Sequence, residues 1–233
     1  MRVEGKKRPL RILIGLLLIF WGMTTFAMHR FTYSTSSEVH YENSLSQTEY
    51  ATNANTYLQD EGIQTPLLLQ TDERWATETY GVDNGKTIAE NGCAPTSLAM
   101  ILAYYENREV SPTEITNWAK DQYYQADAGT DWSIFPAFAK EYNLTLHDLD
   151  ADFSKAQTYL EQDIPVAVSA LPGEFTDNGH IMVLARYQAD TDNLTILDPS
   201  DNPEKNHTYS WFTASDYTTQ FRHYWAFTKD TSL

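Results

Sequence analysis

The sequence predicts an α+β domain: helices come first, an antiparallel sheet follows, and one transmembrane helix precedes both. Three observations predict it. Residues 94–162 carry apolar side chains at helical spacing, broken once by a strand-like run. Residues 164–227 carry short β-rich runs separated by turn residues. Residues 12–28 form an uncharged apolar run of 17 residues behind a basic start. Helices followed by strands, rather than strict alternation, is the α+β order.

The N-terminal part comes first. Arg2, Lys6, Lys7, Arg8 and Arg11 precede the run Ile12–Met28, and Arg30 follows it. A basic flank before an apolar run reads as an export signal or a membrane anchor, with the basic end cytoplasmic and the rest outside. Thr25-Phe26-Ala27 matches a small-x-small cleavage site poorly, which favours an uncleaved single-pass anchor over secretion after cleavage. Residues 1–30 are therefore assigned to this segment. Residues 31–64 are polar without a sustained period and read as a tether, although a short helix near Tyr50–Leu58 fits. The folded domain is placed at 65–233, starting where Pro66-Leu67-Leu68-Leu69 changes the pattern.

Within that domain, Leu98, Ile101, Leu102 and Tyr105 define a helix over 94–105. Ser111-Pro112-Thr113-Glu114 is a capping-box sequence with Pro at the first helical position, opening a helix to about Gln122. Helices are also predicted over 131–142 and 154–162, with a short strand at 144–149 between them. Strands are predicted at 164–170, 180–187 and 194–197. Asp190–Asn193 reads as the turn of an antiparallel hairpin between the last two. A helix over 211–218 and a final strand at 224–227 complete the reading.

Composition bounds the function. The chain of 233 residues has 16 Lys+Arg against 32 Asp+Glu, a formal net charge of −16. Ten of the bases and 31 of the acids fall in residues 31–233, leaving about −21 there. Such a surface repels nucleic-acid phosphates, so nucleic acid is not an expected partner. One cysteine cannot form an internal disulfide or a multi-cysteine metal site. No His-Glu-x-x-His or calcium-loop pattern is found, so neither metal nor cofactor is expected.

That lone cysteine is Cys93, in Asn91-Gly92-Cys93-Ala94-Pro95. Pro95 suits the opening turn of a helix, which puts Cys93 at its N-terminus. There the helix dipole and free N–H groups favour thiolate and can hold a developing oxyanion. A small buried hydrophobe is the alternative. A nucleophilic thiol needs a base and a group to orient that base. Of six histidines, His180 stands out, since it follows Asn178-Gly179 and opens the apolar run Ile181–Leu184 at the mouth of a strand. His29 and His40 lie in the anchor and tether, His147 reads as an exposed strand residue, and His207 and His223 sit in polar surroundings. Asp198 ends a strand before Pro199 and is the candidate orienting acid. A turn at 190–193 sets it opposite Ala185 rather than His180, so a bulge or another turn must supply the shift.

These segments together resemble the papain-like cysteine peptidases. The runs are Gln70-x-Asp72-x-Arg74-Trp75, Gly92-Cys93-Ala94-Pro95-Thr96-Ser97-Leu98-Ala99-Met100, Gly179-His180-Ile181-Met182-Val183-Leu184 and Leu197-Asp198-Pro199. Over residues 65–229 the chain is most similar to the branch related to bacteriocin-leader (double-glycine) processing endopeptidases. The resemblance implies a papain-like fold, a nucleophile at Cys93, a general base at His180 and an orienting carboxylate at Asp198. It also implies a glutamine upstream of the cysteine as oxyanion donor. Gln70 matches that glutamine but lies much further from the cysteine than in the processing enzymes; Asn91 or the Cys93 N–H are the alternatives. Ala94 stands where many relatives carry Gly. The expected activity is a membrane-anchored extracellular cysteine peptidase hydrolysing a peptide or amide bond. Its substrate would be a peptide or protein at the cell surface, or a cell-wall peptide. A non-catalytic binding module of this fold and a thiol-dependent acyl transferase remain alternatives.

Overall fold

The computed structural model describes residues 45–81, 86–126 and 128–229. The predicted anchor and residues 31–44 lie outside the described residues. Among the described residues, no helix is long and apolar enough to cross a membrane.

The first described element is helix α1, Gln47–Asp60. Ser46 caps it, with its hydroxyl accepting from the Glu49 N–H and the Glu49 carboxylate reaching back to the Ser46 N–H. Here the expectation of a tether through residue 64 is corrected. Tyr50, Ala51, Ala54 and Leu58 are buried in the main core, and the Asn55 side chain both donates to and accepts from the Leu67 backbone. The folded unit therefore begins at Leu45.

After α1 the chain makes turns around a small core of Trp75, Tyr80 and Ile88. It then forms α2, Ile88–Asn91, and α3, Cys93–Glu106. Residues 94–103 of α3 are all buried, as suits a central helix apolar on every side. Next come α4 (Pro112–Ala119), a small β1–β2 ribbon (Tyr124–Gln125, Gly129–Thr130) and α5 (Ile134–Glu141). The predicted Ser111 cap is not made by its side chain. Glu114 is engaged elsewhere, accepting two hydrogen bonds from the Arg108 guanidinium. Pro136 fits α5 because the first-turn N–H groups have no intrahelical partner anyway.

The second half is strand-rich. β3 (Thr145–Asp148) and α6 (Phe153–Leu160) lead to β4 (Val166–Ala170), β5 (His180–Gln188) and β6 (Asn193–Leu197). β7 (Phe212–Thr213), α7 (Ala214–Tyr217) and β8 (Phe221–Thr228) follow. The predicted helix over 211–218 is thus split, because Phe212 and Thr213 pair with Leu194 and Asn193 as an edge strand. The sheet order is β3-β8-β4-β5-β6-β7, antiparallel throughout.

Period-two alternation divides the sheet residues between two cores. Ala167, Ile181, Val183 and Leu197 join the helices α1, α3, α4 and α5. Val166, Val168, Met182, Leu184 and Ile196 join α6 and the C-terminal aromatics. With helices covering both faces, β4 is buried along its whole length and reads as a continuous apolar run. The observed architecture is the predicted α+β domain, with helices carrying Cys93 packed on an antiparallel sheet carrying His180.

Candidate active site

Cys93 is the first residue of α3. The link from α2 is Gly92, whose N–H donates to the Ile88 carbonyl at 2.8 Å. A Cβ at Gly92 would lie 2.4 Å from that carbonyl oxygen and 2.7 Å from Ile88 Cγ2. Only glycine lets the two helices meet this closely. Gly92→Ala is expected to shift Cys93, lower the melting temperature and slow thiol alkylation, with a stability loss of about 1–3 kcal/mol. A thermal melt run beside an iodoacetamide time course checks both effects.

His180 is the first residue of β5, paired with Ala170 of β4. The hydroxyl of Ser97 in α3 donates to the Ile181 carbonyl at 3.2 Å, tying the cysteine helix to the histidine strand. Asp198 follows the last paired residue of β6. Pairing runs from Gln188↔Asn193 to Arg186↔Thr195, then shifts and resumes as Leu184↔Ile196 and Val183↔Leu197. The turn sits one residue earlier, at 189–192, and with the bulge at Ala185 it moves the register facing Asp198 from Ala185 to Met182, two residues short of His180.

The three side chains meet. His180 Nε2 lies 2.7 Å from Asp198 Oδ1, and the ring lies beside the Cys93 thiol, close enough to interact with it. With Nε2 turned to the carboxylate, Nδ1 is the nitrogen left for sulfur. His180 is 8% exposed and Asp198 fully buried, while Cys93 is partly open to a cleft.

Burial alone would push the Cys93 thiol up. The hydrogen bond and charge of His180, with N–H groups of Ile181 and Ala94, outweigh it and hold the thiol below its ordinary value. Burial would likewise lower His180, but its bonds to Asp198 and Cys93 raise it to about 9. Asp198 is held far below the usual carboxylate range despite its burial, chiefly by hydrogen bonds from His180 and His207.

Asp198 has more partners than the sequence suggested. Ser200 donates to Oδ1 from its N–H at 2.7 Å and its hydroxyl at 3.0 Å. His207 Nδ1 donates to Oδ2 at 2.9 Å, and Lys205 Nζ lies 3.5 Å from the same oxygen. His207 is not in polar surroundings, as expected from sequence, but is buried against Phe175 and Phe212. Its closeness to Asp198 in the chain was the only signal. A second buried carboxylate, Asp201, accepts from the N–H groups of Asn202, His207 and Thr208 and from the hydroxyls of Thr208 and Tyr50. Tyr50 belongs to α1, so this helix grips the loop that carries Asp198.

Gln70 and Asn91 line the same cleft of about 580 Å³ as Cys93 and His180. The chain lies beside Gln70 again at Ala89. The Gln70 side chain donates to the Ala89 carbonyl at 2.6 Å, and its backbone N–H donates to the Pro199 carbonyl at 2.7 Å. The long spacing from Gln70 to Cys93 is therefore closed in space. Gln70 Oε1 and Asn91 Nδ2 are both buried without a partner.

The model of the Peptidase_C39 like family matches residues 62–233. The chain belongs to this family. The family covers the sheet and all helices except α1, and it makes residues 62–233 a cysteine-peptidase-like domain. Among solved structures, the chain is similar to the peptidase domain of Streptococcus ComA, a bifunctional ABC transporter of a quorum-sensing pathway. The identity is 17%, the TM-score 0.46, and the match covers 65% of this chain and 97% of that one. It is also similar to a double-glycine motif protease from an AMS/PCAT transporter in complex with its leader peptide (19%, 0.41, 59% and 84%). A third is the N-terminal peptidase C39 like domain of a toxin secretion ATP-binding protein from Vibrio parahaemolyticus (16%, 0.41, 59% and 97%). No curated protein matches the chain at the same stringency.

Proposed function

We propose that this C39-like chain is a cysteine peptidase in which Cys93 is the nucleophile, His180 the general acid–base and Asp198 the group that orients His180. The observation that carries the reading is the convergence of the three side chains: His180 is bonded to buried Asp198 and lies beside Cys93 where the cleft opens. The thiolate attacks the peptide carbonyl carbon, and the carbonyl electrons move onto oxygen. The Cys93 N–H at the start of α3 and the unpartnered Asn91 amide nitrogen supply donors to that oxyanion, beside the second N–H of Gln70 Nε2, whose first is held by the Ala89 carbonyl. Imidazolium His180 gives its proton to the leaving amine. A water then loses a proton to His180 and hydrolyses the thioester, returning the thiolate.

The basic-flanked apolar run at 12–28 supports a single-pass membrane anchor with this domain on the outer side. A peptide or protein substrate at the cell surface, cell-wall peptide included, fits that placement.

Incubating residues 45–233 with peptide mixtures, quenching with acid and weighing the intact protein tests this reading. An acyl adduct on Cys93 that is absent in Cys93→Ala is the expected result; turnover that survives Cys93→Ala would overturn it. Gln70→Ala is expected to lower kcat about 10²-fold while leaving the rate of Cys93 alkylation near wild type. That split would separate oxyanion binding from thiolate formation.

A further inference from the structure

We propose that Arg222 is a carboxylate-recognising subsite of the cleft, so that the preferred substrate is a peptide bearing a carboxylate close to the scissile bond. The inference rests on the peptidase reading above.

β4 and β8 pair as Ser169↔His223 and then Ala170↔Phe221, leaving Arg222 as the extra residue of a β-bulge. Bulges beside active sites re-aim a side chain out of the regular pleat. Arg222 lines the same cleft as Cys93 and His180.

Its guanidinium is held in place on two sides. Nε donates to the hydroxyl of Ser169, a buried residue of β4, at 3.1 Å. The guanidinium carbon lies 4.7 Å from the centroid of the Trp132 ring, and Trp132 also lines the cleft. Those contacts use one edge and one face of the group. The Nη1 and Nη2 end forms no ion pair among the described residues.

The other guanidinium groups of the domain are engaged. Arg74 pairs with Asp72, Arg108 with Glu106 and Glu114, and Arg186 with Asp163. An arginine without an acid partner is notable where residues 31–233 carry about −21. Glu90 and Lys86 line the cleft as well, and the Glu90 carboxylate is held by the Thr87 N–H and hydroxyl. A planar fork with its outer end free matches a carboxylate in bidentate fashion. Beyond about 8–10 Å the acidic surface is screened at physiological salt, so the local fork decides recognition.

The carboxylate can be an Asp or Glu side chain or the free C-terminus of the peptide. Protection of Cys93 from iodoacetamide tests the proposal without needing turnover. Four peptide pools serve as protectants: Asp/Glu-rich or Asn/Gln-rich, each with a free or amidated C-terminus. Each protein's protection is taken relative to its own unprotected alkylation rate.

In the wild-type domain, one carboxylate-bearing class is expected to protect at about tenfold lower concentration than the amidated Asn/Gln pool. Which class does so distinguishes side chain from C-terminus. Arg222→Gln is expected to abolish the difference with its melting temperature retained. Arg222→Lys, which keeps the charge without the fork, is expected to recover part of it. Equal protection by all pools, no protection by any, or a preference that persists in Arg222→Gln would overturn the proposal. Slow alkylation indifferent to His180→Ala would instead overturn the peptidase reading beneath it.

Discussion

His180→Ala is expected to slow alkylation of Cys93 at pH 6 by at least about an order of magnitude. An unperturbed thiol with a pKa of about 8.5 is only about 0.3% thiolate at that pH. In the folded protein the thiol lies below its ordinary value, because the hydrogen bond and charge of His180 outweigh burial. Removing the ring leaves the same burial with nothing to oppose it, so the thiol moves up. The pH dependence follows with a definite sign. His180 is raised from 6.5 to about 9, so its contribution to stability is complete below pH 6.5 and is lost as pH rises through about 9. Cys93 is lowered, so its contribution is lost as pH falls through the lowered value. The thiolate–imidazolium pair therefore occupies the window between them, and activity is expected to show an alkaline limb near pH 9. A stopped-flow alkylation profile across pH, in both proteins, measures it.

Deleting residues up to 61, which leaves the span of the family match, is expected to abolish folding rather than trim a tether. Tyr50, Ala51, Ala54 and Leu58 are all at most 3% exposed. Truncating one large buried side chain such as Leu58 costs about 2–5 kcal/mol, and losing the whole face rivals a domain's entire stability of about 5–15 kcal/mol. The helix also touches the site. The Tyr50 hydroxyl donates to buried Asp201 at 2.9 Å, and Asp201 organises the loop between Asp198 and Thr208. Tyr50→Phe keeps the ring and removes that donor, at an expected cost of about 1–3 kcal/mol. Residues 45–233 and 62–233, compared by near-UV circular dichroism and thermal melting, separate a structural helix from a dispensable one. A cooperative melt of 62–233 at the temperature of 45–233 would contradict this account.

These two results mark what was and was not legible in the sequence. Cys93 could be read because Gly92 and Pro95 bracket a helix start. His180 could be read because it opens an apolar strand after Asn178-Gly179. Each signal is local, and each element sits where local pattern put it. The partnership of His180 with Asp198 was legible only as a demand for a bulge, since register depends on which turn closes the hairpin. A short helix near Tyr50–Leu58 was legible, but its place in the core was not, because its buried stripe is narrow and built partly of alanines at 51 and 54. Its apolar spacing at Tyr50, Ala54 and Leu58 has meaning only once the core it meets is known. His207 was misread for a related reason. Its chain neighbours are polar, but Phe175 and Phe212 reach it from elsewhere. The long chain separation concealed the closeness of Gln70 to the cysteine, because residues far apart in the chain can still meet in space. Arg222 carried no local signal at all, as a bulge exists only between two strands.

The most direct test of the central claim is an ultraviolet titration of the Cys93 thiolate at 240 nm, from pH 4 to 10, in residues 45–233 and in its His180→Ala variant. The thiolate is expected to form below the ordinary thiol range in the parent protein and to be displaced upward in the variant. A single ionisation near 8.5, the same in both proteins, would contradict it.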